Sequence, residues 1–301
     1  MAWVGSFDAF VQSHLPSLRV EREAKMANYT SFRIGGGARR MAFPRTEEEV
    51  EQLLSFCREH EVPCLVIGKG TNLLIADEGL DQLVLNMLEM NKIRVEGTRV
   101  YAQAGALLSR IAVAAQQAGC AGLAFAHGIP GSLGGAVAMN AGAYGGEMRQ
   151  VVESVTALFP DGVRTLRGEA LRFGYRHSVF TEEEGVVLSA VLSLEKGDSA
   201  AIRAEMDDFM ARRKASQPLE YPSAGSTFKR PEGHFAGTMI DQCGLKGTAV
   251  GGAEVSTKHA GFIINKDHAT FADVVALIGV VQDTVFREFG VELEPEVKII
   301  R

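Results

Sequence analysis

His127-Gly128-Ile129-Pro130-Gly131-Ser132-Leu133-Gly134-Gly135-Ala136-Val137-Ala138-Met139-Asn140-Ala141-Gly142-Ala143-Tyr144-Gly145-Gly146 is the stretch on which the fold turns. Pro130 and Ser132 suit the start of a helix, and the side chains from Gly131 to Ala138 are mostly small. A helix of small residues lets a bulky group lie against its backbone, and its first N–H groups have no partner within the helix. Close packing of a helix on a strand calls for the same residues, so the tract alone leaves both uses open.

Upstream, the apolar run Cys64–Ile67 ends in Gly68-Lys69-Gly70-Thr71-Asn72. Glycine tolerates positive φ and presents bare amides to an anion, while Thr71 and Asn72 add short polar arms. An ordinary tight turn uses these residues too. Two such loops in neighbouring stretches favour one extended anionic ligand, such as a dinucleotide. The usual dinucleotide and mononucleotide fingerprints are missing. After Gly68 and Gly70 the third position is Leu73, so no G-x-G-x-x-G forms, and no G-x-x-x-x-G-K-[ST] occurs anywhere.

Around these loops, strands and helices alternate. Thr46-Glu47-Glu48-Glu49 reads as a capping box before Val50, Leu53, Leu54 and Cys57 at helical spacing. Leu73–Ile75 and Leu83–Leu85 read as strands split by a turn at Asp77–Gly79. Ile93–Glu96 and Val100–Ala104 flank Gly97 as a hairpin. Ala106–Ala118 reads as a helix with Leu107, Leu108, Ile111 and Ala115 inward and Gly119 at its stop. Val151–Phe159, Val163–Leu166 and Val186–Leu194 follow as strands. Helix Ala200–Lys214 should bury Ile202, Met206, Phe209 and Met210, and helix Phe271–Phe289 lies between a Thr270/Asp273 capping box and Gly290. Gly261–Asn265 and Glu296–Ile300 complete the strands. The expected class is α+β. Two lobes cover 1–87 and 88–196, and a third unit covers 197–301, with the last strand able to return to the first lobe.

Composition narrows the function classes. Thirty-one cationic against thirty-seven anionic side chains leave −6 over 301 residues, which disfavours nucleic acid as a partner. Thirty-three glycines, about 11% against ~7% ordinarily, are clustered in loops rather than spread. Cys57, Cys64, Cys120 and Cys243 form no C-x-x-C pair, and read as apolar fillers of a reducing compartment. His259 and His268 lack ligand-spaced partners, so no metal is expected. The N-terminus has no basic n-region, and no apolar run reaches the ~18 residues of a spanning helix. A cytoplasmic protein without membrane attachment is expected, and a monomer.

Five motifs then occur in a particular order: Gly68–Asn72, the 128–146 tract, Phe173–Phe180, Pro222–Pro231 and Pro295–Val297. In that order they resemble the UDP-N-acetylenolpyruvoylglucosamine reductase (MurB) family, from about Tyr29 to Val297. The resemblance implies an FAD-binding two-lobe domain of the vanillyl-alcohol-oxidase (PCMH-like) type, followed by a C-terminal α+β substrate domain. It further implies FAD as cofactor, NADPH as co-substrate and a UDP-sugar as substrate. Members carry hydride to C3 of an enolpyruvyl group and a proton to C2.

Residue by residue, the resemblance makes Arg176, Ser226 and Glu296 the catalytic set. A planar guanidinium can hold a carboxylate at any working pH. A serine acid needs its alkoxide stabilised, and Lys229 stands three residues on. Half-burial at a strand start would suit Glu296 as an acid. None of the three stands out by inspection alone. FAD would be held by Gly68, Lys69, Gly70, Thr71, Asn72, Gly128, Ile129, Pro130, Gly131, Ser132, Gly134, Gly135, Asn140 and Gly142. Tyr175, Lys229, Arg230 and Gln242 would meet the substrate. Arg212, Arg213 and Lys214 fit either a helix C-terminus or a diphosphate. The third unit is short and carries Arg230 after Ser-x-x-Lys, as in the subtype without an inserted loop. Two rivals remain: an FAD-dependent alcohol or sugar oxidase on the same fold, and a non-catalytic nucleotide-sugar sensor.

Overall fold

The computed structural model describes residues 3–301. Helices and sheets are mixed without strict alternation, as an α+β class requires. One four-stranded sheet runs in the order Arg19–Lys25, Gly37–Phe43, Leu80–Asn86, Cys64–Ile67. A five-stranded antiparallel sheet runs Gly162–Leu166, Val152–Phe159, Val186–Ser193, Arg99–Gln103, Ile93–Glu96. No described helix is long and apolar enough to cross a membrane.

The described residues fall into two compact units, each assembled from separate stretches of chain. Unit 1 takes residues up to Glu21, Arg40–Lys69 and Gln82–Arg213. Unit 2 takes Arg22–Arg39, Gly70–Asp81 and Lys214–Arg301. These units are not contiguous in sequence: Ile202 and Met206 of helix Ser199–Ser216 are buried in the core of unit 1. The C-terminal strand Lys298–Ile300 returns to pair in parallel with Leu73–Ile75, Leu73 opposite Lys298, as the last strand was expected to be able to do.

In unit 1, helix Glu47–Glu59 buries Val50, Leu53 and Cys57 at the spacing its sequence announces, with Phe56 added and Leu54 only half-buried. Thr46 Oγ1 accepts from the Glu49 amide at 3.2 Å, yet the Glu49 carboxylate reaches back to the Arg45 amide, at 2.6 Å. The capping box is thus shifted by one residue. Helix Trp3–His14, which no cap or stripe announces, seats Phe7 edge-on against Phe56, ring centroids 5.5 Å apart. Its Asp8 takes both prongs of Arg40, each at 2.7 Å. Helix Leu108–Gln117 buries Leu108, Ile111, Ala112 and Ala115, while Leu107 serves as the N-cap and is only half-buried. Phe209 and Met210 are likewise half-buried, and Phe209 stacks on Tyr144 with centroids 4.6 Å apart. The Cys57 and Cys64 thiols share a hydrogen bond that lowers the pKa of Cys57 and, with burial, raises that of Cys64.

Unit 2 is built on helix Phe271–Phe289, which buries Val274, Leu277, Ile278, Val281 and Val285. Thr270 and Asp273 cap it reciprocally, and Gly290 ends it at φ +68, where a Cβ would be strained. Against it lie helix Ala236–Gln242 and a short sheet of Ala249–Val250, Ala253–Val255 and Ile263–Asn265.

Candidate functional site

Ser226 and Glu296 are brought onto adjoining segments of unit 2. Phe228 and Pro295 form an antiparallel bridge, the Glu296 amide donates to the Thr227 carbonyl at 2.8 Å, and the Lys229 amide donates to the Glu294 carbonyl at 2.8 Å. Thr227, 1% exposed, anchors the first segment: its amide donates to Gly261 O at 2.8 Å and its hydroxyl accepts from the Ile263 amide at 3.0 Å. Ser226, one residue earlier, is exposed, and Glu296 is half-buried. An exposed hydroxyl beside a fixed backbone can meet a ligand without moving the core.

The expected substrate residues differ in their engagements. The Lys229 ammonium pairs with the Glu294 carboxylate. The Arg230 guanidinium lies 3.7 Å over the Phe235 ring. Gln242 ends its helix and is exposed. His259, half-buried, has its pKa lowered chiefly by burial, and its Nδ1 accepts from the Gly261 amide.

Arg176 belongs to unit 1. It occupies the second place of a two-residue turn, Tyr175-Arg176, closed by Gly174 and His177 amides donating to each other's carbonyls at 3.0 and 3.3 Å. Its φ is +53, uncommon for any residue with a side chain and a sign of a conformation imposed by its surroundings. Those surroundings are specific. Asn140, 1% exposed and itself at φ +41, donates to Gly174 O at 2.9 Å and accepts from the Arg149 amide at 2.9 Å. Ser178, fully buried, donates to Ala138 O at 2.7 Å. Tyr175, the expected substrate contact, is 54% exposed.

The two glycine loops meet in unit 1 at Gly68 and Ser132. A Cβ on Gly68 would stand 1.9 Å from Ser132 Oγ, so a side chain there would displace that hydroxyl. Ser132 is 2% exposed and N-caps helix Leu133–Ala138, yet its hydroxyl makes no capping bond and is left without a partner. A buried hydroxyl without a partner costs about 1–3 kcal/mol, which a bound acceptor would recover. Gly135 has no heavy atom within 4 Å of a hypothetical Cβ, so space lies open above the helix. A Cβ on Gly128 would lie 3.4 Å from the Arg213 side chain. Burial lowers the pKa of Arg213, partly offset by Tyr144, and among the described residues no carboxylate pairs with it. These features fit an anionic, phosphate-bearing cofactor.

Other loop glycines are explained by close packing. Gly134 abuts Ala104, Gly142 abuts the Gly146 carbonyl, and Gly70 abuts the Tyr29 carbonyl within unit 2. Ile129 packs on the core of unit 1, whereas Pro130 and Lys69 are exposed. Asn72 is engaged in unit 2: its Nδ2 donates to the Glu296 carbonyl at 3.0 Å. The long-range partners Thr227, Asn72 and Asn140 carry no local sequence signal of these roles. Among the described residues no cluster of three metal-ligating side chains is present.

Comparison with known proteins agrees with this architecture. Residues 38–167 match an FAD binding domain, and residues 217–300 match the C-terminal domain of UDP-N-acetylenolpyruvoylglucosamine reductase. The UDP-N-acetylenolpyruvoylglucosamine reductase of Limosilactobacillus reuteri is 49% identical over 97% of this chain and 98% of its own. That of Clostridium novyi is 48% identical over 96% of this chain and 95% of its own. The crystal structure of UDP-N-acetylenolpyruvylglucosamine reductase (MurB) from Thermus caldophilus superposes with a TM-score of 0.82 at 36% identity, covering 94% of this chain and all of that one.

Proposed function

The chain belongs to the UDP-N-acetylenolpyruvoylglucosamine reductase family, and on that premise we propose that it reduces the enolpyruvyl group of UDP-N-acetylenolpyruvoylglucosamine to give UDP-N-acetylmuramate for peptidoglycan synthesis. FAD, when bound and reduced by NADPH, would supply hydride chemistry at C3. The difficult part is the negative charge that spreads from C2 into the adjoining carboxylate. Arg176 balances it with a cation that stays charged at any working pH. Ser226 delivers the proton to C2, and Glu296, on the segment bridged to that of Ser226, lends a carboxyl group. Tyr175, Lys229, Arg230 and Gln242 receive the UDP-sugar.

FAD is assigned to the main chain of Gly68–Thr71 and Gly128–Gly135, with Ser132 Oγ and the Arg213 guanidinium as side-chain donors. Asn140 and Gly142 shape the end of that loop. The enzyme works in the cytoplasm as a monomer and takes no nucleic acid as partner.

The observation that supports the reading most is the bridge placing the Ser226 segment against the Glu296 segment by the Glu296 N–H to Thr227 bond at 2.8 Å. A two-step rapid-mixing measurement tests it. Purified protein should be yellow, lose its flavin absorbance with NADPH, and regain it on mixing anaerobically with the enolpyruvyl sugar. Reduced flavin that ignores the sugar but is quickly reoxidised by oxygen would make the protein an oxidase instead.

A further inference from the structure

We infer that Asn72 is a positioning residue for Glu296, rather than an arm offered to the cofactor; this rests on the reductase reading above. Pro295 carries no N–H, and the regular pairing of the C-terminal strand with Leu73–Ile75 begins only at Lys298. Between them the backbone of Glu296 has two handles. Its amide is taken by the Thr227 carbonyl at 2.8 Å. Its carbonyl is taken by Asn72 Nδ2 at 3.0 Å, while the Asn72 carbonyl accepts from the Lys298 amide at 3.0 Å. Asn72 therefore spans the gap that Pro295 leaves in the ladder, and it grips the chain on both sides of Val297.

A side chain with one short amide is needed there. Aspartate has the same shape but would face the Glu296 carbonyl with an acceptor, and alanine would leave that half-buried carbonyl without its donor. Without the bond, the main chain carrying the carboxyl is held on one side only. The effect should be confined to the step that uses Glu296.

The test compares Asn72→Asp and Asn72→Ala with the parent protein. Flavin content and the rate of flavin bleaching by NADPH should stay within about twofold, while reoxidation by the enolpyruvyl sugar falls roughly tenfold. In a Glu296→Gln background, Asn72→Ala should add less than about twofold, because both changes act through one carboxyl. Hydrogen exchange in cofactor-free protein should quicken at the Glu296 and Lys298 amides and not across helix Phe271–Phe289. Loss of flavin, an additive effect in the Glu296→Gln background, unchanged exchange, or failure of both variants to fold would each overturn the proposal. A parent protein that cannot turn over the sugar faults the reductase reading instead, and the exchange measurement still judges the bond.

Discussion

Ser226 sits exposed beside Thr227, whose amide, hydroxyl and carbonyl are all engaged, so truncating the serine removes a hydroxyl without disturbing the backbone. Ser226→Ala should leave flavin reduction by NADPH near normal and slow the sugar-dependent step by roughly 10²–10⁴, the usual worth of a positioned proton donor. Single-turnover kinetics of the two half-reactions checks this; equal slowing of both would remove Ser226 from the proton-transfer role. At this scale little was legible from residue chemistry. Arg176, Ser226 and Glu296 look like ordinary turn and strand residues, and only the order of five motifs singled them out. What fixes them lies far off in sequence, as the 224-residue separation of Asn72 and Glu296 shows. Asn140 illustrates the same limit: a loop asparagine suggests a ligand arm, but its hydrogen bonds hold the turn that carries Arg176.

Among elements, those that announce themselves by capping and periodicity stand where expected. Helix Phe271–Phe289 has both its capping box and its stopping glycine, and the Ile93–Glu96 hairpin turns at Gly97. Helix Trp3–His14 was not legible, because only Phe7 is fully buried and Gly5 interrupts its pattern. Besides its aromatic contacts with Phe56, one ion pair ties it to strand Gly37–Phe43. Arg40 is 8% exposed, with both prongs on Asp8. Asp8→Ala takes the carboxylate from both prongs of a largely buried guanidinium and should cost about 1–3 kcal/mol, whereas replacing both partners by apolar residues should recover much of the loss. Denaturant unfolding of the single and double variants measures it; a loss under about 1 kcal/mol would class the pair with exposed ones.

For the molecule as a whole, the α+β class was legible, and so was a return of the last strand to the N-terminal third, where Lys298–Ile300 pairs with Leu73–Ile75 more than two hundred residues away; that helix Ser199–Ser216 packs into the core of unit 1 was not. Neither could sequence reveal that Ser132 is buried without a partner, and that detail gives a global measurement its power. A ligand that binds only the folded state raises stability by mass action, about 2.7 kcal/mol at a hundred times its Kd. FAD added to flavin-free protein should therefore raise Tm in a concentration-dependent way. Ser132→Ala removes a hydroxyl that the flavin-free protein leaves unsatisfied, so that form should be as stable as the parent, or more stable by about 1 kcal/mol. The same change deletes a donor to the cofactor, so the rise in Tm with FAD should shrink. Opposite signs in the two states separate a ligand-facing hydroxyl from one that merely packs. If Ser132→Ala weakens the flavin-free protein and leaves the FAD-dependent rise intact, Ser132 belongs to the scaffold.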